Sequence, residues 1–337
     1  MSFMHSVRGI AALVAAASVF AASPASAQDL AKTKPAGFPS GPMEMTVVYP
    51  AGGGADLTAR LLARSMEKVT GEKILVNNRT GGAGMVGHTW LATQAPADGS
   101  VMGMVVNLVW GDAMLRGQGR WTHTDLEPIG YLNSDPMIWA VGTEGPFKGA
   151  SLQQLVQMAK DKPNTFRVGT VPGSMWDYLI EQVEANTGAK FLKVPFQSGG
   201  AATTALVGNN IDIAPAFYAD LRAQLDAGKV RLLGIASAQR VRHLPDLPTF
   251  NEALNGKDYE WTLLRFVVVP KNVPADRKAW LGAAVKAATR DQALVDEYMK
   301  MGVYFDPSLR DSPNPTAALN ALAEKEREFY QRTGRLK

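Results

Sequence analysis

The feature that most constrains this 337-residue chain is a repeated local order: a short apolar run, a glycine-rich turn, then a helical pattern. Its first instance is the apolar run 45–48, then Tyr49-Pro50-Ala51-Gly52-Gly53-Gly54-Ala55-Asp56, then apolar residues at Leu57, Leu61, Leu62 and Val69. This reads as a strand over 45–49 and a helix over 56–70, with Gly71 as the cap that ends it. Three consecutive glycines leave the turn without Cβ atoms, so its amides can be approached closely and can adopt positive φ. Those amides lie at a helix N-terminus, where about half a positive elementary charge accumulates. Such a turn suits a carboxylate or phosphate, and it serves equally as a tight turn with no ligand.

The alternation continues along the chain. A strand over 74–77 leads into a second glycine-rich turn, Asn78-Arg79-Thr80-Gly81-Gly82-Ala83-Gly84, and a helical stretch reaching 91–94. The turn Pro96-Ala97-Asp98-Gly99 precedes a buried strand over 101–106, with further strands over 129–132 and 137–141. A second unit sets helices 151–159, 175–187, 201–207 and 219–227 between strands 166–169, 191–194, 211–214 and 231–236. Ser151 is a good N-cap, and Gly188 and Gly228 stand where helices stop. After the connector Leu244-Pro245-Asp246-Leu247-Pro248-Thr249 come a strand over 261–269, helices over 274–290 and 293–301, and an extended piece over 303–305. A last helix spans 315–332, with Leu319, Leu322, Glu326 and Phe329 on one face. The stretch 28–42, rich in Pro, Gly, Ser and Lys, reads as a loose lead-in. Apolar strands separated by helices predict an α/β fold with parallel, doubly wound sheets.

The N-terminus has its own logic. His5 and Arg8 precede an unbroken small and apolar run over 9–22, and Ala25-Ser26-Ala27 is an A-x-A site. This is a signal peptide cleaved after Ala27, sending the chain to the periplasm; as an uncleaved anchor the run is too short to span comfortably. With no cysteine anywhere, neither a disulfide nor thiol lipidation is available. Loss of Arg8 leaves 34 basic and 31 acidic side chains, a formal charge of +3. That is too small to argue for nucleic acid, and no basic cluster with interleaved aromatics occurs. About 310 residues suit two domains of roughly 100–200 each.

Two further turns repeat the first device. Gly169-Thr170-Val171-Pro172-Gly173-Ser174 and Pro195-Phe196-Gln197-Ser198-Gly199-Gly200 each follow a strand and open a helix, and Ser174 and Ser198 suit helix caps or ligand hydroxyls. In an open α/β sheet, ligands bind outside the carboxyl ends of the strands, where all these turns must lie. Arg79 fits a carboxylate partner or, better, a structural ion pair. Arg265 sits inside an apolar strand and needs either a buried partner or a cleft. Asp56, in the first helical turn, suits the dipole better than catalysis. Trp110, Trp139, Trp176, Phe196, Phe217, Tyr218 and Trp261 fall near strand ends, with core packing as their default role.

These pieces together resemble the periplasmic solute-binding proteins of tripartite tricarboxylate transporters, the Bug family. The matching segments are Pro50 through Asp56 with Ala59-Arg60, Asn78-Arg79 through Gly87, and Ala95 through Gly99. Val194-Pro195-Phe196 with Gly199, Gly208 through Asp212, Ala227 through Arg231, and Leu244 to Glu252 complete the series, in family order. The resemblance implies a two-lobed, Venus-flytrap fold of the type II binding-protein kind, each lobe a mostly parallel sheet flanked by helices. Residues 28–138 plus 260–337 would form one lobe and 139–259 the other, with crossings near Trp139 and Trp261. It further implies a carboxylate held in the cleft by the Pro50–Asp56 turn, partly through water, with the two later turns closing from the other lobe. The expected ligand-contacting set is Tyr49, Ala51, Gly52, Gly53, Gly54, Asp56, Thr170, Gly173, Ser174, Met175, Trp176, Phe196, Ser198, Gly199, Gly200, Phe217 and Arg265. Two departures alter the wall: Arg79-Thr80-Gly81 replaces the family's Arg-Pro-Gly, and Pro172 and Trp176 change the turn after Gly169. Arg265 favours a polycarboxylate over an amino acid.

The expected partners are a small di- or tricarboxylate or aromatic acid and the membrane subunits of a tripartite tricarboxylate-type transporter, with the protein acting as a monomer. A ligand-dependent sensor that docks on a receptor such as a sensor kinase is the alternative. A periplasmic enzyme is the weakest reading. After cleavage only His88, His123 and His243 remain, none at metal-ligand spacing, and there is no G-x-S-x-G elbow. No cofactor and no metal is expected.

Overall fold

The computed structural model describes residues 27–337 apart from 172–174, 197, 257–258, 304–309, 313, 333 and 337. It has the two-lobed α/β architecture expected above. The first sheet is built by β1 (Met43–Val47), β2 (Ile74–Asn78), β3 (Val101–Val106), β4 (Leu126–Pro136) and β10 (Thr262–Pro270), in the order β2-β1-β3-β10-β4. The second is built by β5 (Ile138–Gly142), β8 (Ala214–Ala216) and β9 (Val230–Ile235), in the order β8-β5-β9. A parallel pair, β6 (Arg167–Thr170) with β7 (Leu192–Pro195), joins the β8 side through a parallel bridge between Val168 and Ile213.

Neither sheet is wholly parallel. β10 runs against both β3 and β4, and β5 runs against both β8 and β9. The reason is topological. Strands reached through a crossover helix come out parallel, whereas β5 and β10 are the strands that enter each sheet from the other one. The two passages meet. Met137, between β4 and β5, donates its N–H to Trp261 C=O at 2.9 Å, and Trp261 N–H donates to Ala236 C=O at 2.9 Å. Ala236 N–H closes the set on Met137 C=O at 2.8 Å.

The helices follow from apolar spacing. In α2 (Gly54–Thr70) the buried residues Ala55, Ala59, Leu62, Ala63 and Met66 form one stripe on the first sheet. Gly71 ends it with φ +75°, returning its N–H to Glu67 C=O at 2.8 Å. β3 is buried at every position, and at Gly103 a Cβ would lie 2.5 Å from Leu91 of α3 (Met85–Thr93). Several elements differ from the sequence reading, β4 among them, which runs Leu126–Pro136 where a strand over 129–132 is expected. The lead-in contains α1 (Ala27–Thr33), pinned because Leu30 is buried and its C=O accepts from Trp280 Nε1 at 2.9 Å. The strand expected over 211–214 is displaced to β8, since Ile213 only bridges to Val168. Short helices α4 (Leu108–Gly111) and α9 (Phe250–Leu254) and a π-turn over Asp112–Arg116 lie in stretches read as connections.

In the second lobe α5 (Leu152–Asp161) is capped by Ser151, whose hydroxyl accepts from Gln154 N–H at 3.2 Å. α6 (Met175–Thr187), α7 (Gly199–Val207) and α8 (Tyr218–Asp226) complete it. The chain then returns through α10 (Ala275–Ala288), α11 (Gln292–Lys300) and α12 (Pro315–Arg332). Two contacts tie these returning helices to the second lobe. Phe329 of α12 meets Tyr178 of α6 edge-on at 4.0 Å, and Arg222 of α8 donates to Lys300 C=O at the end of α11 at 2.7 Å.

Candidate functional site

The first glycine turn is held in shape from behind. Gly52 has φ +80°, a conformation glycine adopts freely, and its N–H donates to Asp56 Oδ2 at 2.9 Å. Asp56 also accepts from Arg60 Nε at 3.0 Å and Asn78 Nδ2 at 3.0 Å. Burial alone would raise its pKa, but the bonds from Arg60, Gly52 and Asn78 outweigh it and hold the carboxyl below the ordinary aspartate range. Asp56 therefore braces the turn, and Gly52 serves it. The first intrahelical bond runs from Leu57 N–H to Gly53 C=O, so the amides of Gly54, Ala55 and Asp56 are the open donors of the helix start.

Arg265 stands beside that helix start. A Cβ on Gly54 would stand 3.4 Å from Arg265 Nη2, which places the guanidinium against the positive end of α2. Its Nη1 pairs with the buried Asp135 carboxylate, while Nε is buried with no hydrogen-bond partner. The Nε and Nη2 hydrogens share one edge of the guanidinium, the fork that takes a carboxylate through two parallel bonds. A cation and a helix N-terminus pointing at one spot repel each other unless an anion stands between them. Tyr49 carries another buried oxygen with no partner, and burial first, then Asp112, pushes its phenol pKa up.

The second lobe meets the same place through Asp220. A Cβ on Gly199 would lie 2.5 Å from Asp220 Oδ2 and 2.8 Å from the Trp176 ring, so only glycine fits there. Asp220 accepts from Phe217 N–H at 3.3 Å. Burial raises its pKa and Asp135 adds to the rise, while the Phe217 bond and the Arg265 charge oppose it. Arg265 in one lobe thus acts electrostatically on Asp220 in the other. Trp176 stands edge-on to Phe217 at 5.7 Å, and Phe217 lies 5.8 Å from Trp261, forming an aromatic wall.

Of the residues picked from the sequence, the structure gathers Gly54, Arg265, Gly199, Trp176 and Phe217 around Asp135 and Asp220, while Tyr49 stands edge-on to His88 within the influence of Asp112 and Arg265. Ala51, Gly53 and Gly200 flank them on the two turns. Ser198 caps α7, accepting from Ala201 N–H at 3.3 Å, and Phe196 is half-buried with its ring against Gly169. The Thr170 hydroxyl donates to Asp177, which occupies it within its own lobe. Met175 opens α6; Gly173 and Ser174, like Pro172, lie outside the described residues. Arg79 stacks 3.5 Å above Trp90 and lies 3.5 Å from Glu44, a structural arrangement. Among the described residues no three His, Asp or Glu side chains come together as metal ligands.

Two residues of this cluster, Asp135 and Asp220, escaped the sequence reading, as did Asn133, the cross-strand partner of Arg265. Asn133 and Asp135 are two apart in a strand where everything from Gly130 to Pro136 is buried. With Ser134 between them they form a polar run closed by Pro136, which in sequence reads as a turn rather than as a buried strand. Asp220 stands third in its helix, where a cap and a ligand neighbour read alike.

A family model described as the tripartite tricarboxylate transporter family receptor matches residues 58–326. BugT of Bordetella pertussis is 27% identical over 274 residues, covering 79% of this chain and 81% of BugT. MatC from Rhodopseudomonas palustris with bound malate superposes with TM-score 0.71 at 22% identity, over 88% of this chain and 98% of MatC. A protein from R. palustris with adipate gives TM-score 0.75 at 21% identity, over 88% of this chain and 98% of its own. With the matched segment running from the first turn of α2 nearly to the end of α12, the chain belongs to the tripartite tricarboxylate transporter receptor family, of the Bug type.

Proposed function

We propose that the protein is a periplasmic receptor that grips a small carboxylate in the cleft and presents it to the membrane subunits of a tripartite tricarboxylate-type transporter. The observation that carries this reading is the partnerless Arg265 Nε on the same edge as Nη2, beside the open amides of Gly54, Ala55 and Asp56. One carboxylate bridging that fork and the helix start relieves the repulsion between them. The aromatic wall of Trp176, Phe217 and Trp261 then covers the carbon skeleton. The malate and adipate of the two superposed structures are both dicarboxylates, which supports an acid of that size. Family membership supports the transporter as the destination.

The lobes that close are residues 28–138 plus 260–337 and residues 139–259, swinging about the Met137 and Trp261 passages. Closure couples ligand to recognition by the membrane subunits, because only the loaded protein holds both turns together. Cleavage after Ala27 leaves α1 nearly whole, with Leu30 still anchored under Trp280. Among the described residues no helix is long and apolar enough to cross a membrane. Calorimetry on the exported form with a panel of di- and tricarboxylates and aromatic acids is the test. At least one acid binds if the reading is right, and a folded protein silent across the panel refutes it.

A further inference from the structure

We infer that Asn133 is a specificity-determining residue of the cleft, and that the acid it selects carries a hydroxyl on the carbon next to the bound carboxylate. This deepens the reading of the cleft as a carboxylate site and rests on it.

Asn133 is 0% exposed, yet neither its Nδ2 nor its Oδ1 has a hydrogen-bond partner. A buried amide left this way forfeits its hydration without recompense, so native proteins rarely leave one without a use. Its place in the sheet gives the use. Asn133 pairs directly with Arg265 across β4 and β10, so the two side chains share one face with their Cβ atoms about 5 Å apart. The short asparagine thus stands beside the long arginine, whose Nε is also buried and without a partner. The three orphaned atoms thus belong to one cross-strand pair, whose arginine also approaches Gly54.

The chemistry of the amide narrows the ligand. Asn133 offers a donor group and an acceptor, and a hydroxyl, which both donates and accepts, matches it where an ammonium or a methylene does not. An ammonium can use only Oδ1 and leaves Nδ2 unmet. An unsubstituted methylene leaves both unmet. Asp135, on the same face, already accepts from Arg265 Nη1 and holds the charge count down, so a second full anion is not called for here. With the carboxylate on the Nε/Nη2 fork, its adjacent carbon is the ligand atom carried closest to Asn133. A hydroxyl there completes the set.

The experiment is calorimetry on the full exported protein with matched pairs, malate against succinate and lactate against propionate, plus aspartate. Wild type is expected to favour the hydroxylated member of a bound pair by about tenfold or more, since a site built around a hydroxyl rejects the analogue lacking it. In Asn133→Leu, and in Asn133→Ala should the first fold poorly, that ratio is expected to fall to about one while the unsubstituted acid keeps its affinity. Equal affinity within each pair, or a preference that survives both variants, overturns the inference and leaves the carboxylate site standing. Aspartate binding tenfold tighter than malate overturns the hydroxyl and favours an amine. A changed melting temperature with an unchanged ratio makes Asn133 the holder of a structural water and also overturns it. If no acid binds the folded wild type, the cleft reading falls and this inference with it.

Discussion

Arg265 is a buried cation whose surroundings are unequal: Asp135 meets one end, and the other faces the start of α2. Removing it deletes the fork and leaves Asp135 buried without its partner. Arg265→Ala is therefore expected to weaken the best acid by about 10–150-fold, and Arg265→Lys to recover only part, because an ammonium is a point charge without the paired geometry. Calorimetric affinities of the two variants check this, with the melting temperature separating binding from folding. Asp56 tells a different story at the same scale. Its pKa is below that of the unfolded chain, so its stabilisation is present above about pH 3.9 and is lost as pH falls through the folded value. The gap in melting temperature between wild type and Asp56→Asn is expected to be widest near neutrality and to shrink below about pH 4, measured by circular dichroism at a series of pH values.

Among the elements, α12 holds the most unusual group. Glu326 is buried beneath α4, takes a 2.7 Å bond from Tyr330, and is pushed up to about 8 by burial, with Asp112 adding to the rise. Between about 4.5 and 8 the folded protein keeps a proton that the unfolded chain has lost, so this group makes stability decline as pH rises through that window. Glu326→Gln is expected to flatten the decline, with the melting-temperature difference between variant and wild type growing from pH 5 to pH 8. The same helix shows what was legible beforehand. Its bounds, and those of α6 and β3, emerge from spacing because each carries a sustained apolar period. α1 does not, since its one anchor, Leu30, is isolated among Lys and Ala. Nor does the direction of β10: a strand's residues encode burial, while its orientation depends on where the chain arrives from. Asn133, Asp135 and Asp220 join the candidate site only through neighbours far away in sequence, and a single chain read in order does not display that.

At the scale of the whole molecule, two sheets of matching plan each receive one reversed strand from the other, and the passages meet at Met137, Ala236 and Trp261. On the proposed closure, bending at these passages changes the distance between the glycine turns, and the contacts of Phe329 with Tyr178 and of Arg222 with Lys300 shift with it. Small-angle scattering is expected to show a smaller radius of gyration with saturating acid than without it, and no change would remove closure from the account. The most direct test is a crystal structure of the protein with its tightest-binding acid. A carboxylate on the Nε and Nη2 edge of Arg265, capped by the amides of Gly54 through Asp56 and covered by Trp176 and Phe217, is the predicted result. An acid bound elsewhere, with Arg265 untouched, would contradict it.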